Sequence, residues 1–270
     1  MQDQRPDLLA HLTELARLHL SSEEAEEWLR LLRPAVCLTA ASDGEPVLAT
    51  QGGLPPIAVD DWPVFGDHML PHLLTLDCAQ LGPAAMSVGV PMDDEGTWSF
   101  FFWQYHADPA SWVQPPLDHR EQRIQAVVRG RGLAAGPESP PPGLVVAYPA
   151  VPLTGFLTLT LPSWAAYEFN GLSNPDREGR LSRALWEASL VQAPRHRIGG
   201  HPSSVQAAVE LVADEVRYAT ADLERTRGWG LLLEVNPDFD HELTLGDQTV
   251  FWLREAGDEP EASVVVAQGT

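Results

Sequence analysis

His196 is the residue of this sequence whose neighbours best suit binding or acid–base chemistry. It stands beside a turn formed by Gly199 and Gly200, with Gln206 further along and Asp247 in the unit that follows. A histidine whose ring is oriented by a carboxylate can act as a base, a ligand or a pH-sensitive anchor. The alternative is a structural histidine that hydrogen-bonds the backbone of the glycine turn. The residues alone leave both alternatives open.

Other polar clusters carry weaker signals. His68 and His72 are four residues apart, but Pro71 interrupts any helix between them, so an ordinary surface pair is expected. The segment 85–89 approximates a nucleophile elbow around Ser87, without the preceding strand and following helix that this motif requires. The segment 238–242 groups oxygen ligands without the calcium-loop pattern. We therefore expect no metal site.

The basic residues exclude several kinds of cofactor chemistry. All 17 of them are arginine, and the chain has no lysine. A Schiff base with pyridoxal phosphate, a Walker-type nucleotide site and attachment of biotin or lipoate all need a lysine. The two cysteines, Cys37 and Cys78, are too few for a four-thiolate zinc or iron–sulfur site. We expect no cofactor.

The charge balance is strongly acidic. There are 38 acidic residues, and the formal net charge is −21. Between Arg33 and Arg120 the chain holds 11 acidic residues and no arginine. One interpretation is a solvated face that aids solubility; the other is a surface for a cationic ligand or basic protein. Nucleic acid is not an expected partner, because phosphate binding depends on cationic side chains.

No feature of the sequence indicates secretion or a membrane. The first six residues have neither a basic nor an apolar signal region. No run approaches the roughly 20 apolar residues that a membrane span needs. We expect a cytoplasmic protein with no membrane partner.

The periodicity of apolar residues predicts the elements that must position these side chains. Residues 6–33 have the spacing of two helices, the second starting with a capping box at Ser21. Further helices are expected over 180–191 and 205–213, the latter extending towards Tyr218. Strands are expected over 35–38, 73–76, 98–103, 124–128, 144–147, 156–161, 231–235, 249–253 and 263–267. Helices and strands are partly segregated, which favours an α+β fold with mixed or antiparallel sheets.

A weak internal repeat links two parts of the chain. In each unit a Gly-Gly-x-Pro turn (Gly52-Gly53 and Gly199-Gly200) precedes an apolar strand, and a strand rich in aromatic residues follows. We therefore predict a pseudo-two-fold duplication of about 35–135 and 144–267 in one domain, with helices 1–34 packed on it. Clefts between such units are frequent ligand sites. The alternative is two similar turns without duplication.

The same residues resemble the YwqG-like bacterial family of unknown function. The first unit contributes Gly52-Gly53-Leu54-Pro55-Pro56, Trp62-Pro63 and His72–Asp77. The second contributes His196-Arg197-Ile198-Gly199-Gly200-His201-Pro202 with Gln206, Leu231–Val235 and Gly246-Asp247. The chain departs from the family at Thr75 and Glu234, where the family usually has glutamine, and at Leu245, where it usually has tryptophan. The resemblance implies an α+β single-domain fold with internal duplication, and it implies no reaction.

Two functional hypotheses follow. The first is a non-enzymatic binding, adaptor or immunity-type protein that recognises a basic protein or peptide through an acidic surface. The alternative is a small-molecule-binding protein or enzyme that uses the cleft between the units. Its candidate ligand-binding residues are His196, Gly199, Gly200, Gln206, Asp247, Gly52, Gly53 and Trp62. The sequence leaves the oligomeric state and any catalysis open.

Overall fold

The fold combines several helices with one large, mainly antiparallel sheet. The computed structural model describes residues 1–103, 124–130, 137, 139–144, 146–162, 180–181, 183–185, 187–188, 196–204, 206–245 and 248–269. The strands are β1 (Gln2–Asp3), β2 (Arg33–Ala40), β3 (Ala49–Gln51), β4 (Val64–Phe65), β5 (His68–Met69), β6 (His72–Asp77), β7 (Thr97–Phe102), β8 (Gln125–Gly130), β9 (Val151–Thr160), β10 (His196–Gly199), β11 (Trp229–Val235), β12 (Gln248–Glu255) and β13 (Val264–Gly269). The helices are α1 (Arg5–His19), α2 (Ser22–Leu31), α3 (Cys78–Ser87), α4 (Val209–Tyr218) and α5 (Leu223–Thr226). The predicted α+β class is confirmed.

The large sheet has a central pair of strands with four strands on either side. Its order is β13-β12-β11-β10-β2-β9-β3-β6-β7-β8, and β1 pairs with β9 in parallel. All other neighbours in this sheet are antiparallel. We call β3, β6, β7 and β8 the first wing and β10–β13 the second wing. The strands β4 and β5 form a separate hairpin.

The sheet is curved, so that the two wings pack against each other. Phe100 of β7 and Trp252 of β12 meet edge to face, with ring centroids 5.3 Å apart, although six positions separate these strands in the sheet. The main apolar cluster accordingly contains residues of both wings, including Leu74 and Leu233. Burial of these large side chains on a common inner face is what holds the wings together.

Helices pack against the sheet at three places. Ser21 and Glu24 form a reciprocal capping box that starts α2, as the sequence predicts. The helices α1 and α2 pack with Leu159 of β9 in a cluster centred on Leu12 and Trp28. The helix α4 packs its apolar side on the second wing. Among the described residues, no helix is long and apolar enough to cross a membrane.

Three local predictions differ from the structure. Residues 144–147 were expected as a strand, but Leu144 forms only an isolated bridge to Met69 and 146–147 are irregular. The sequence pattern missed α3, because Gly82 and Pro83 lie inside it; the Asp77 side chain starts this helix by accepting a hydrogen bond from the Gln80 amide. Residues 196–199, for which no strand was expected, form β10, held between β2 and β11.

Candidate functional site

A pocket lies on the first wing, over a row of short polar side chains. Thr50 of β3 pairs with Thr75 of β6, and Asp77 pairs with Thr97 of β7. Alternate residues of a strand share one face, so these side chains lie on the same side of the wing. They border a cavity of about 200 Å³, which we call the Asp77 pocket. Its lining residues are Val47, Ala49, Thr50, Gly52, Leu54, Pro56, His72, Thr75, Asp77 and Thr97.

A chain of hydrogen bonds fixes the floor of the Asp77 pocket. His72 Nδ1 lies 3.1 Å from the Gly53 carbonyl oxygen, which can only accept, so this nitrogen carries the proton. His72 Nε2 then accepts from the Thr75 hydroxyl at 2.8 Å, and Thr75 Oγ1 accepts from the Ser99 hydroxyl at 2.9 Å. The direction of each of these hydrogen bonds therefore follows from the Gly53 carbonyl, which is the acceptor at one end of the series.

This arrangement suits binding better than proton transfer. A hydroxyl that donates to an imidazole is the pairing found in activated nucleophiles. However, burial lowers the pKa of His72 to about 4. A base with so low a pKa is poorly matched to abstraction of a hydroxyl proton at neutral pH. His72 is thus a neutral group that orients Thr75.

The polar groups of the pocket are acceptors of hydrogen bonds or hydroxyls. Asp77 is half-buried and, among the described residues that line the cavity, is the one that carries a charge. Thr97 Oγ1 is buried and has no hydrogen-bond partner among the described residues. A buried hydroxyl without a partner carries a desolvation cost that a ligand can relieve. The pocket therefore suits a ligand that donates several hydrogen bonds and carries positive charge.

The second wing contains a buried ion pair between two neighbouring strands. Arg197 of β10 pairs with Glu234 of β11, and its Nη2 donates to both carboxylate oxygens at 2.8 and 2.7 Å. The Glu234 side chain is fully buried, whereas that of Arg197 is 15% exposed. Ser203 donates to Glu234 from its backbone amide and its hydroxyl, and Asn236 donates from its side chain. This carboxylate is fully satisfied, as burial of a charge requires.

The structure places His196 in the core between the wings and not on a pocket. Its Nε2 donates to Oε1 of Gln51 on β3, and its Nδ1 accepts from the Asn236 amide at 3.2 Å. Burial lowers its pKa to about 4. The candidate role of His196 as a ligand contact receives no support from this geometry, because both ring nitrogens are hydrogen-bonded and the side chain is buried.

The other predicted site residues are not brought together. Gly52 lines the Asp77 pocket, and the Gly53 carbonyl holds His72 at its floor. Gly199 and Gly200 lie against Val88, Thr160 and Ala35. Gln206 is exposed and its amide donates to Gln268. Asp247 lies outside the described residues.

Two further residues singled out in the sequence, the candidate ligand-binding residue Trp62 and the expected surface residue His72, are buried. Trp62 is buried against Phe101 and donates to the Leu70 carbonyl, so it is part of the core. His72 is buried as well and does not form a surface pair with His68, which stacks on Trp103. Ser87 is the last residue of α3, so the strand-to-helix turn of a nucleophile elbow is absent there. Among the described residues, no three potential ligand side chains converge as a metal site.

The sequence did not identify three threonines as residues of one pocket: Thr50, Thr75 and Thr97. Isolated threonines in strands are common and carry no spacing signal. The one available signal was the departure at Thr75 from the YwqG-like pattern. No family model matches the chain, and no curated protein shows significant sequence similarity to it. The YwqG-like resemblance therefore remains a prediction.

Proposed function

We propose that this protein is a non-enzymatic binding protein that recognises a basic protein or peptide through the acidic surface around the Asp77 pocket. The proposal rests on a polar cavity in which the only charged residue of the described lining is a carboxylate. The residues that line this cavity belong to the stretch between Arg33 and Arg120, which contains acidic residues and no arginine. An adaptor or immunity-type role is consistent with such a surface.

The distribution of ion pairs supports a basic partner. Residues 34–103 hold nine acidic residues, and seven of them are exposed. Among the described residues, only Asp93 of these nine lies within 4 Å of an arginine, with a 3.7 Å contact to Arg129. In the second wing and its covering helices, Glu234, Asp214 and Asp258 each contact an arginine. Carboxylates without a cation nearby repel one another, and a basic partner relieves that repulsion.

The acidic loops converge on the pocket. The Asp77 amide donates to the Leu48 carbonyl, and the Cys78 amide donates to the Gly96 carbonyl. These bonds bring the ends of the loops that carry Asp43 and Glu95 next to Asp77. Clustered like charges focus the electric field at a cleft and increase the rate of encounter with an opposite charge.

We also propose that the two wings arose as an internal duplication. The β6–β7 register shifts between His72 and Leu74, and the β11–β12 register shifts between Leu231 and Leu233, three residues before Thr75 and Glu234 respectively. The Gly52-Gly53 turn contacts Ala150 next to β9, just as the Gly199-Gly200 turn contacts Ala35 of β2. All four glycines have positive φ, between 60° and 78°.

The alternative of a small-molecule site around His196 and Asp247 receives less support. Its central residue, His196, is buried and fully hydrogen-bonded. The Asp77 pocket offers a second place for a small molecule, but burial lowers the pKa of its histidine, His72, to about 4, which does not suit proton transfer at neutral pH. Binding is the function that the geometry favours.

A comparison of two variants with the same net charge tests the proposal. The first is Asp43→Asn/Asp94→Asn/Glu95→Gln, near the pocket; the control is Glu215→Gln/Asp240→Asn/Glu242→Gln, at exposed positions elsewhere. The probe is an unstructured peptide with alternating arginine, lysine and glycine, titrated calorimetrically at 20 and 200 mM NaCl. We expect the first variant to weaken binding about tenfold at low salt, because rim charges contribute to association mainly through long-range attraction.

The control variant should bind within about twofold of the natural protein, and higher salt should weaken binding by the natural protein strongly. Equal weakening by both variants would show that only the total charge matters. That result, or binding that salt does not affect, would contradict a specific acidic surface.

A further inference from the structure

We propose that the Asp77 pocket receives the guanidinium group of an arginine side chain on the partner. This inference rests on the proposed function and specifies which basic residue is recognised. It is drawn from a comparison with the second wing, where Arg197 of the protein itself occupies the position that corresponds to Thr50.

The positions correspond through the strand registers. Thr50 lies two residues before Gly52 and pairs with Thr75; Arg197 lies two residues before Gly199 and pairs with Glu234. The surrounding residues correspond in the same way: Pro56, Asp77 and Thr97 of the pocket take the places of Ser203, Asn236 and Thr249. The residues around the Arg197–Glu234 pair are thus the counterparts of residues that line the cavity.

The cavity arises from two substitutions between the wings. Threonine stands at position 50 where the second wing has arginine, and at position 75 where it has glutamate. Both side chains are much shorter, so the space that an ion pair occupies in one wing is a cavity in the other. An apolar cavity stays empty of polar groups. This cavity is bordered by hydroxyls and a carboxylate, so it suits a polar occupant.

The acceptors of the first wing match a guanidinium. Asp77 is the counterpart of Asn236. The first wing therefore has its carboxylate at this strand position, whereas the second wing has its carboxylate at Glu234, two positions earlier on the same face of the sheet. Thr97 Oγ1 lacks a described partner, whereas its counterpart Thr249 donates to Asn236 Oδ1 at 2.7 Å. Thr75 Oγ1, which donates to His72 and accepts from Ser99, keeps a second lone pair.

Arginine suits these separate acceptors better than lysine. A guanidinium presents five N–H donors in a planar fork, so it can reach a carboxylate and hydroxyls on neighbouring strands at the same time. An ammonium is a compact, strongly hydrated charge that must give up more hydration to enter a cavity. An anion is disfavoured, because none of the described residues that line the pocket is cationic.

The test uses two short peptides and three variants. The probes are acetyl-Gly-Arg-Gly-amide and its lysine equivalent, titrated into ¹⁵N-labelled full-length protein and followed by amide chemical shifts. Asp77→Asn removes the pocket carboxylate and preserves the start of α3, since Asn caps helices as well as Asp. Asp67→Asn is the matched control, an exposed acidic residue of the same region outside the pocket. Thr50→Arg fills the pocket from within, as Arg197 does in the second wing.

We expect the arginine peptide to bind at least about tenfold more tightly than the lysine peptide, with the largest shifts at Gly52, Thr75, Asp77 and Thr97. Asp77→Asn should weaken the arginine peptide about tenfold, because a charge-assisted hydrogen bond is lost. Asp67→Asn should bind nearly as the natural protein does. Thr50→Arg should abolish binding. Free guanidinium ion, titrated separately, should shift the same amides if the group alone is sufficient.

Equal affinity for the two peptides, or an Asp77→Asn variant that binds like Asp67→Asn, would overturn this inference. Such results would leave the proposed function intact if the charge-matched triple variants still differ. If neither short peptide shifts the pocket amides at millimolar concentration, the pocket is not the recognition site. Loss of folding in Thr50→Arg would show in the spectrum, and the comparison of the two Asp→Asn variants would still decide the question.

Discussion

At the scale of single residues, the polar pair of Gln51 and His196 is the most unusual feature of the core. Both side chains are buried, and they join the first wing to the second across the inner face of the sheet. Asn236 extends this connection, because its amide donates to His196 and its side chain contacts Glu234. A buried network of this kind makes a specific pairing of the wings more favourable than a sliding apolar contact.

We predict that Gln51→Leu destabilises the protein by about 1–3 kcal/mol, because the His196 Nε2 proton would remain buried without an acceptor. The double variant Gln51→Leu/His196→Leu should recover part of this loss, since both polar groups are then removed. Urea unfolding of the natural protein, both single variants and the double variant gives the coupling energy. Strictly additive losses would show that the two residues do not act as a pair.

The candidate site shows which residues sequence can and cannot identify. Gly52 was identified because a Gly-Gly turn is a visible pattern with a physical cause. Asp77 appeared only as the end of a strand, and Thr50 and Thr97 did not stand out. Their proximity depends on pairing between β3, β6 and β7, which hydrogen bonds between distant parts of the chain establish.

At the scale of elements, the two glycine turns set the spacing between each wing and the central strands. Gly200 has a φ of 78°, and a methyl group added there would lie 2.7 Å from Thr160 Oγ1 and 2.9 Å from the Ala35 Cβ. The absence of a side chain therefore serves two purposes: it permits the left-handed conformation and it allows β2 and β9 to approach.

We predict that Gly200→Ala costs about 3 kcal/mol or more of unfolding free energy, the sum of conformational strain and overpacking. Gly257→Ala is the matched control. Its φ is 91°, and no atom lies within 4 Å of the added methyl group. It should lose only about 1–2 kcal/mol, from conformational strain alone. Chemical denaturation measures both values, and equal losses would show that crowding at Gly200 is unimportant.

The elements themselves differed in how well the sequence predicted them. The strands of the core have apolar and β-branched residues in runs, and most were placed within a few residues. The helix α3 was missed because Pro83 lies inside it, yet tertiary packing of Leu81 and Ala85 compensates for the lost hydrogen bond. The expected strand 144–147 was wrong, because an apolar run alone does not provide a neighbouring strand to pair with.

At the scale of the whole molecule, three histidines in different places share one property. His72 lies in the first wing, His196 lies between the wings, and His201 donates to the Leu31 carbonyl at the end of α2. Burial lowers the pKa of each to about 4, from an ordinary value of 6.5. All three are therefore neutral in the folded protein at neutral pH.

We predict that the protein loses stability as the pH falls from 6.5 towards 4. In this range the unfolded chain binds protons at these histidines and the folded protein does not, so each contributes up to about 1.4 kcal/mol per pH unit. Glu210 acts in the opposite direction, because burial raises its pKa and the folded protein then binds a proton more readily. The net slope should correspond to roughly two to three protons.

Urea unfolding at pH 7, 6 and 5 measures this slope. The variant His201→Asn should unfold with a slope smaller by about one proton, because it removes one titrating group. A free energy of unfolding that does not change between pH 7 and 5 would contradict the assignment of neutral, buried histidines.

The sequence by itself determined the α+β class, most of the core strands, the glycine turns and the exclusion of lysine-dependent chemistry. Each of these depends on residue type or on local periodicity, which are properties of short segments. Only the tertiary structure decided that His196 belongs to the core and that a pocket lies at Asp77. Both results depend on the curvature of the sheet and on strand registers, which join residues far apart in the chain. The same registers bring Thr50, Thr75 and Thr97 to one face of the first wing, although they lie far apart in the sequence.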